Sequence, residues 1–543
     1  MNKLKQILPL SFIIMPILLY LWFINKYGVN FPFLDDWTGI VPLVKEFYIK
    51  KLTIESLWSQ HTENRMFFPN IFYILVAYFT QLNIKVLMYF SFLFLIGSCF
   101  LIFLFYKKKF NNLWFFIPIS FLLFSLIQWG DTLWGFELAW YMVLFFTLLS
   151  FYFLEKVQKS FIYLILSLIS GTVASYSSVQ GLIVWPVGLF FIIFMIIKDK
   201  NFFWSKVFYC WLLSAITVFF IFLIGFNFNN GAIGGIKKLF YFLYNSKNSI
   251  IFIFNSLGGI IPPLGFFNII IGIIVFLYIV YIIYIFLKLE TEEQKDTIIY
   301  IMLILFGLMF DIFILIGRSH FGPYKSLTTT YTLYYLVLFI GIYLFLLSIS
   351  HNNKNNRLYN NLNKFLLGVF FIIFLFQVPT SIRYGVIHGN IHRFYTNADK
   401  NLVLFYNYHE NPNLRLENKI LPFIYQTFPT QTFLKDIIFL KNYRLNVFSK
   451  PYSSKLYDYY LNLSDKYPEY RNSLNTLFYL YITREDLQDA FHVSDPKFEE
   501  NLINWACNSA KTSPQLASYA KQYKELKMLV KSKNSVYDTV KFF

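Results

Sequence analysis

Five polar clusters in this chain carry residue types that could do chemistry: FPFLDDW (31–37), SQHTENR (59–65), QWGDTLWGFE (128–137), SSVQG (177–181) and GRSHFGPYKS (317–326). The adjacent carboxylates Asp35 and Asp36 are candidates to deprotonate a hydroxyl, provided one comes within hydrogen-bond reach of about 2.6–3.2 Å. One acid here is also explained as a helix cap at the start of an interfacial helix. Neighbouring helical residues point about 100° apart, so one can cap while the other faces a cleft. His61, Glu63, Asn64 and Arg65 set carboxylate, imidazole, amide and guanidinium at one depth, and a guanidinium binds phosphate bidentately. Arg318, His320 and Lys325 form the strongest candidate for holding an anionic, lipid-linked phosphate, with Arg65 beside them. Snorkelling to lipid headgroups is the competing account of these cations.

Asp131 and Glu137 lie among Trp129, Trp134 and Trp140, a composition suited to sugar hydroxyls and stacked sugar rings, although tryptophans also form the ordinary interfacial belt. Gln180 is placed to reach a sugar hydroxyl, beside Gly181 in a tight turn. His61, Glu63, Asp131, Trp134 and Gln180 are therefore the candidate acceptor- or sugar-binding residues. A His/Glu/Asp metal site at 61–65 is conceivable, but the spacing is not diagnostic. Asp311, inside an apolar stretch, costs about 2.5–3.5 kcal/mol on insertion scales and should face the protein interior, as a buried acceptor or as a functional group. Seven residues separate it from Arg318, roughly 10 Å along a helix, so the two cannot pair.

These clusters must be positioned by membrane spans, because a chain of 543 residues that is 57% hydrophobic, 22% aromatic and only 14% charged is too apolar for a soluble protein of this length. Eleven spans are expected, at about 7–25, 85–106, 112–128, 137–154, 160–177, 182–197, 205–225, 266–287, 297–316, 327–348 and 364–378. The first has no small-residue cleavage site and reads as retained. Segments 67–80 and 249–262 are short and suit interfacial or re-entrant helices. With the N-terminus cytoplasmic, the basic turns after spans 2, 4, 6, 8 and 10 fall inside. All five polar clusters then fall outside.

The first external loop (26–66) should contain an amphipathic helix carrying Ile40, Leu43, Val44 and Phe47. Residues 1–380 read as the transmembrane domain, 381–449 as an external connecting segment without assignable helix or strand, and 450–543 as a small, mainly helical external domain. Thr483 and Asp486 form a capping box there, and Ser494 precedes a helical first turn. The net charge of +18 sits largely in short loops beside spans, with no basic stripe, which argues against nucleic acid as a partner. Cys99, Cys210 and Cys507 are too dispersed for a disulfide framework or a cysteine metal site. Neither a solenoid repeat nor paired broken helices is visible.

FPFLDDW, HTENRMFFP, QWGDTLWGF, VQGLIVWPVG and GRSHFGPYKS, in this order, resemble the GT-C superfamily of membrane glycosyltransferases, and more narrowly a group of bacterial polytopic proteins of GT-C-like organisation. The resemblance covers most of residues 1–350. It lies in the first span, the long external loop opening on an acidic pair, the interfacial helices and the external C-terminal domain. It implies an all-α GT-C-like fold and transfer of a hexosyl or pentosyl group from a polyprenyl-phosphate carrier to a glycan or lipid-linked acceptor outside the membrane. An acidic residue of the first loop would act on the acceptor, which falls on Asp35 first and Asp36 second. The superfamily sometimes uses a divalent metal, Mg or Mn being the candidates. HTENR departs from the HNEHR-like string of the group, and the absence of a WWDYG-type motif argues against protein N-glycosylation.

The reading from sequence is thus a bacterial cytoplasmic-membrane glycosyltransferase of surface-glycan assembly, its C-terminal domain external and its partners membrane lipids, a lipid-linked sugar and a glycan. Two rivals are a lipid-linked glycan flippase, which should carry charges along a transmembrane route, and a non-catalytic assembly subunit, which should tolerate neutralisation of the acidic pair.

Overall fold

The architecture is that of a computed structural model, which describes residues 2–199, 202–228, 240–352, 357–408 and 430–449. It is an all-α polytopic membrane protein: among the described residues, ten helical stretches are long and apolar enough to cross a membrane. The helices are α1 (Asn2–Tyr27), α2 (Ile40–Tyr48), α3 (Ile54–Leu57), α4 (Phe67–Thr80), α5 (Ile84–Lys107), α6 (Ile117–Leu123), α7 (Trp129–Thr132), α8 (Leu138–Leu154) and α9 (Ile162–Ser175). There follow α10 (Val184–Asp199), α11 (Phe202–Leu223), α12 (Tyr241–Tyr244), α13 (Ser246–Leu257), α14 (Phe266–Lys288), α15 (Thr291–Arg318), α16 (Thr332–Asn352), α17 (Arg357–Tyr408) and α18 (Thr430–Asn442).

The packing divides the chain into two units, Met1–Gly28 with Thr38–Gly389, and Val29–Trp37 with Asn390–Phe543. In the first, α16 is the centre: the whole of its apolar window is buried, against 22% for α11, which faces outward. Helices α8 and α9 pack as an antiparallel pair, held by the reciprocal hydroxyl bonds Ser150 Oγ to Ser167 O (2.9 Å) and Ser167 Oγ to Ser150 O (2.7 Å). The amphipathic helix expected in the first loop is α2, with Ile40, Leu43 and Val44 buried.

Two expectations are corrected and a third is refined. Residues 160–177 do not form a full-length span, since α9 has 14 residues, about 21 Å at 1.5 Å per residue against a hydrocarbon core of about 30 Å. The span expected at 112–128 corresponds to the apolar stretch Leu113–Thr132, which is interrupted at Phe124 and Ser125, where Ser125 is extended. Gln128 Nε2 donates to the carbonyls of Leu123 (2.9 Å) and Ser125 (3.3 Å), so a side chain satisfies acceptors that the break leaves without a helical partner. Finally, the helix of the last span does not stop near 378 but continues through Pro379 to Tyr408, and α18 follows within the segment left unassigned. The segments 67–80 and 249–262 form the short helices α4 and α13, of 14 and 12 residues. The proposed helical domain at 450–543, its capping box and Cys507 lie outside the described residues.

In the second unit, FPFLDDW folds into a tight turn. Asp36 is fully buried, and its Oδ2 accepts the Phe33 N–H at 2.8 Å, while the Trp37 indole donates to the Pro32 carbonyl at 2.9 Å. Trp37 stacks edge-on against Phe433 of α18 and Phe33 against His392, each with ring centres 4.7 Å apart. Leu34, at φ +43°, adopts a left-handed conformation that a leucine rarely takes. The strained residue stands next to the acidic pair.

Candidate functional site

The site in the membrane unit is built on a small antiparallel hairpin, Gln60–His61 paired with Asn64–Arg65, that joins α3 to α4. Its two-residue tip contains Thr62 at φ +51°, an unfavourable conformation for a β-branched residue. That tip presents Glu63. The base of the hairpin is fastened to the end of α11. Gln60 Oε1 accepts the Asn227 N–H at 2.8 Å and Gln60 Nε2 donates to the Asn227 carbonyl at 3.1 Å. Arg65 is 3% exposed and donates to the carbonyls of Phe222 (3.3 Å), Ile224 (2.5 Å) and Trp58 (2.9 Å).

A helix end leaves its last carbonyls without partners, and a cation there complements the helix dipole. Arg65 therefore terminates α11, and burial lowers its pKa. Asn64 ties the hairpin to a third element: its Oδ1 accepts Ser178 Oγ at 2.7 Å and the Val179 N–H at 3.1 Å. At that turn Gly181 is required by space, because a Cβ would lie 1.9 Å from the Ala174 carbonyl oxygen.

Glu63 Oε1 forms an ion pair with Arg318, the last residue of α15, and both side chains are less than one-fifth exposed. Arg318 also donates to the Gly317 carbonyl at 3.4 Å, and Tyr331 lies close enough to feel its charge. The pair opens into a cavity of about 560 Å³, whose polar end comprises Glu63, Gln180, Arg318, Trp140 and Tyr331. Its remaining wall is apolar and largely aromatic, with Phe219, Phe222 and Phe226 from the end of α11 and Phe313 from α15. Trp140 lies parallel to Tyr331 at 6.0 Å between ring centres. Glu63 Oε2 is buried and has no hydrogen-bond partner among the described residues. A buried carboxylate oxygen in that condition calls for a donor.

The structure thus gathers four of the five clusters at one end of the bundle. Residues 61–65 meet 177–181 and 318, and Gly130 packs against Thr329, where a Cβ would lie 2.5 Å from Oγ1. Lys325 is close enough to Arg318 for that charge to lower its pKa, after burial, which lowers it most. His320 stacks on Phe321 at 4.0 Å. His61 faces a smaller pocket on another side of the hairpin, with Nε2 3.1 Å from Thr38 Oγ1.

Several expected roles find other partners. Arg65 uses three N–H groups on backbone carbonyls. Asp131 is fully buried beside the hydrogen-bonded group Tyr20, Tyr141 and Thr132, rather than lining the cavity. Trp134 is half-buried beside Phe136, ring centres 6.2 Å apart. Asp311 is buried and accepts a hydrogen bond from Ser256. Asp36 is engaged in its own turn, whereas Asp35 is partly exposed. Among the described residues no group of three or more His, Cys, Asp and Glu is placed to hold a metal ion. Trp140, one of the tryptophans marked in the sequence, does line the cavity, whereas Tyr331 has no charged neighbour in the chain to mark it.

If Arg65 is a structural fastening, Arg65→Met in the purified protein should lower the melting temperature by an amount equivalent to roughly 1–3 kcal/mol per stranded carbonyl network. It should also expose residues 222–228 to limited proteolysis. A phosphate-binding arginine would instead leave melting and proteolysis unchanged.

No family model matches the chain, and no curated protein is significantly similar to it. What it does must be argued from its own residues.

Proposed function

We propose that this protein is a glycosyltransferase that moves a sugar from a polyprenyl-phosphate carrier to an acceptor on the external face of a bacterial cytoplasmic membrane, in surface-glycan assembly. The observation that carries this reading is the cavity with an aromatic wall and a single polar end, where a guanidinium meets a carboxylate with one oxygen left over. An isoprenoid chain suits the wall. A phosphate suits Arg318 and Lys325, because charge-assisted hydrogen bonds to phosphate are among the stronger ones available.

In this reading the acceptor hydroxyl forms a bond to the anomeric carbon while the bond from that carbon to the phosphate oxygen breaks, and the electron pair leaves with the phosphate. Arg318 and Lys325 stabilise the charge as it develops there. Glu63 Oε2 accepts a hydroxyl of the sugar, and Gln180 and Trp140 bound the same end. A general base takes the acceptor's proton, a role for which the resemblance names Asp35 first. A divalent ion such as Mg or Mn would supply further charge stabilisation, but the residues at hand do not form a cluster for it.

Cells lacking the gene and complemented with Asp35→Asn or Glu63→Gln, at matched protein levels, test the reading by mass spectrometry of polyprenyl lipids and surface glycans. Accumulated glycosylated carrier with a glycan one sugar short is the expected result. Full restoration of the wild-type pattern by both variants would favour the flippase or scaffolding alternatives.

The proposed role of Lys325 fixes a pH dependence. Its pKa lies below the ordinary 10.5 because burial and Arg318 disfavour the ammonium, whereas a bound phosphate favours it, so binding draws a proton on. Affinity for a polyprenyl monophosphate should fall as pH rises through that lowered pKa, beginning below pH 10.5, and Lys325→Arg should flatten the profile. A flat profile in the wild type would remove Lys325 from the site.

A further inference from the structure

A second cavity, of about 120 Å³, lies against the hairpin and is enclosed by α2, α3 and α4. On a scale where one water occupies roughly 10–15 Å³, it has room for several waters. Its lining includes Glu46, Ser56, Ser59, His61 and Asn70, with Phe136 as an apolar face. Glu46 Oε2 is buried and has no hydrogen-bond partner among the described residues. Asn70 uses its amide N–H on the Leu57 carbonyl at 2.9 Å, which leaves its own oxygen to accept.

The chemistry of this lining is selective. Among the described residues Glu46 is its one acidic side chain, and no lysine or arginine lines it. An anion is therefore disfavoured, and one carboxylate with one imidazole is thin provision for a divalent ion, which takes six or more oxygen ligands when it is Ca²⁺ or near-ideal octahedral geometry when it is Mg²⁺. Hydroxyls, an amide and a ring that can each donate and accept, beside one aromatic face, match a neutral polyhydroxylated ring. We propose that this pocket is a monosaccharide-binding subsite in which Glu46 Oε2 accepts a sugar hydroxyl. That the bound sugar belongs to the acceptor rests on the transferase reading; that a sugar binds does not.

Saturation-transfer difference NMR on the full-length protein in detergent, with free glucose, galactose, mannose and N-acetylglucosamine each presented alone, tests it. At least one should give a saturable signal. Glu46→Ala should weaken that affinity about tenfold or more, the equivalent of one hydrogen bond to a charged group, and Glu46→Gln, which keeps an acceptor oxygen, should weaken it less. Unchanged melting temperatures establish that the variants are folded. The proposal is overturned if none of the four sugars binds saturably, or if Glu46→Ala binds like the wild type. The second outcome would move sugar binding to the larger cavity and leave the transferase reading standing. Sugar binding lost in Glu46→Ala, with no change in cellular glycans on deletion of the gene, would retain the subsite and remove the transferase.

Discussion

The ion pair between Glu63 and Arg318 is the contact on which the membrane unit's polar end depends. Taking two charges largely out of water is costly, and a pair of this kind persists where further hydrogen bonds satisfy its members. Arg318 also donates to the Gly317 carbonyl at 3.4 Å. Among the described residues Glu63 has the one partner, and its second oxygen is left over. The carboxylate can be held there because the hairpin beneath it is rigidly fastened: Gln60 and Arg65 to the end of α11, Asn64 to the turn before α10. The strained Thr62 at the tip is the local cost of pointing Glu63 at Arg318. The fastenings that aim the carboxylate also end α11 at Leu223, and this places Phe219, Phe222 and Phe226 on the cavity wall.

The two ends of the bundle differ in kind. At one end lie the hairpin, the cavity and the cations Arg318 and Lys325. At the other, lysines of the short turns pair with acids: Lys108 with Glu155, and Lys295 with Asp199 at 2.6 Å. Lys109 lies near Asp296 and Glu293. The proposed reaction takes the end with the basic turns as cytoplasmic, by the positive-inside rule, and the cavity's polar end as external.

Much of this arrangement was legible in the sequence. Length and apolarity locate most spans, and charge placement assigns the polar clusters to one end, where four of them do meet. Position along the chain could not show how each side chain is used. Arg65 and Arg318 look equivalent in a string, yet one lies where helix carbonyls lack partners and the other where a cavity opens. Asp35 and Asp36 differ by one residue, and only the turn's geometry gives the cap to Asp36. Asp131 reads as a site residue because it stands among tryptophans, but in the fold it is fully buried beside Tyr20 and does not line the cavity. The shortness of α9 was hidden because residues 160–177 carry no charge to mark an end, and the helix beyond Pro379 because a proline there normally argues for a boundary. Tyr331 carried no signal at all.

The central claim is that Arg318, held by Glu63 at the head of an aromatic cavity, receives the phosphate of an isoprenoid lipid. The most direct measurement is native mass spectrometry of the purified protein with a polyprenyl monophosphate and with the matching polyprenol that lacks the phosphate. The account predicts stoichiometric binding of the phosphate lipid, weaker binding of the alcohol, and loss of that difference in Arg318→Ala. Equal retention of both lipids by the wild type, or a preference for the phosphate that survives Arg318→Ala, would contradict it.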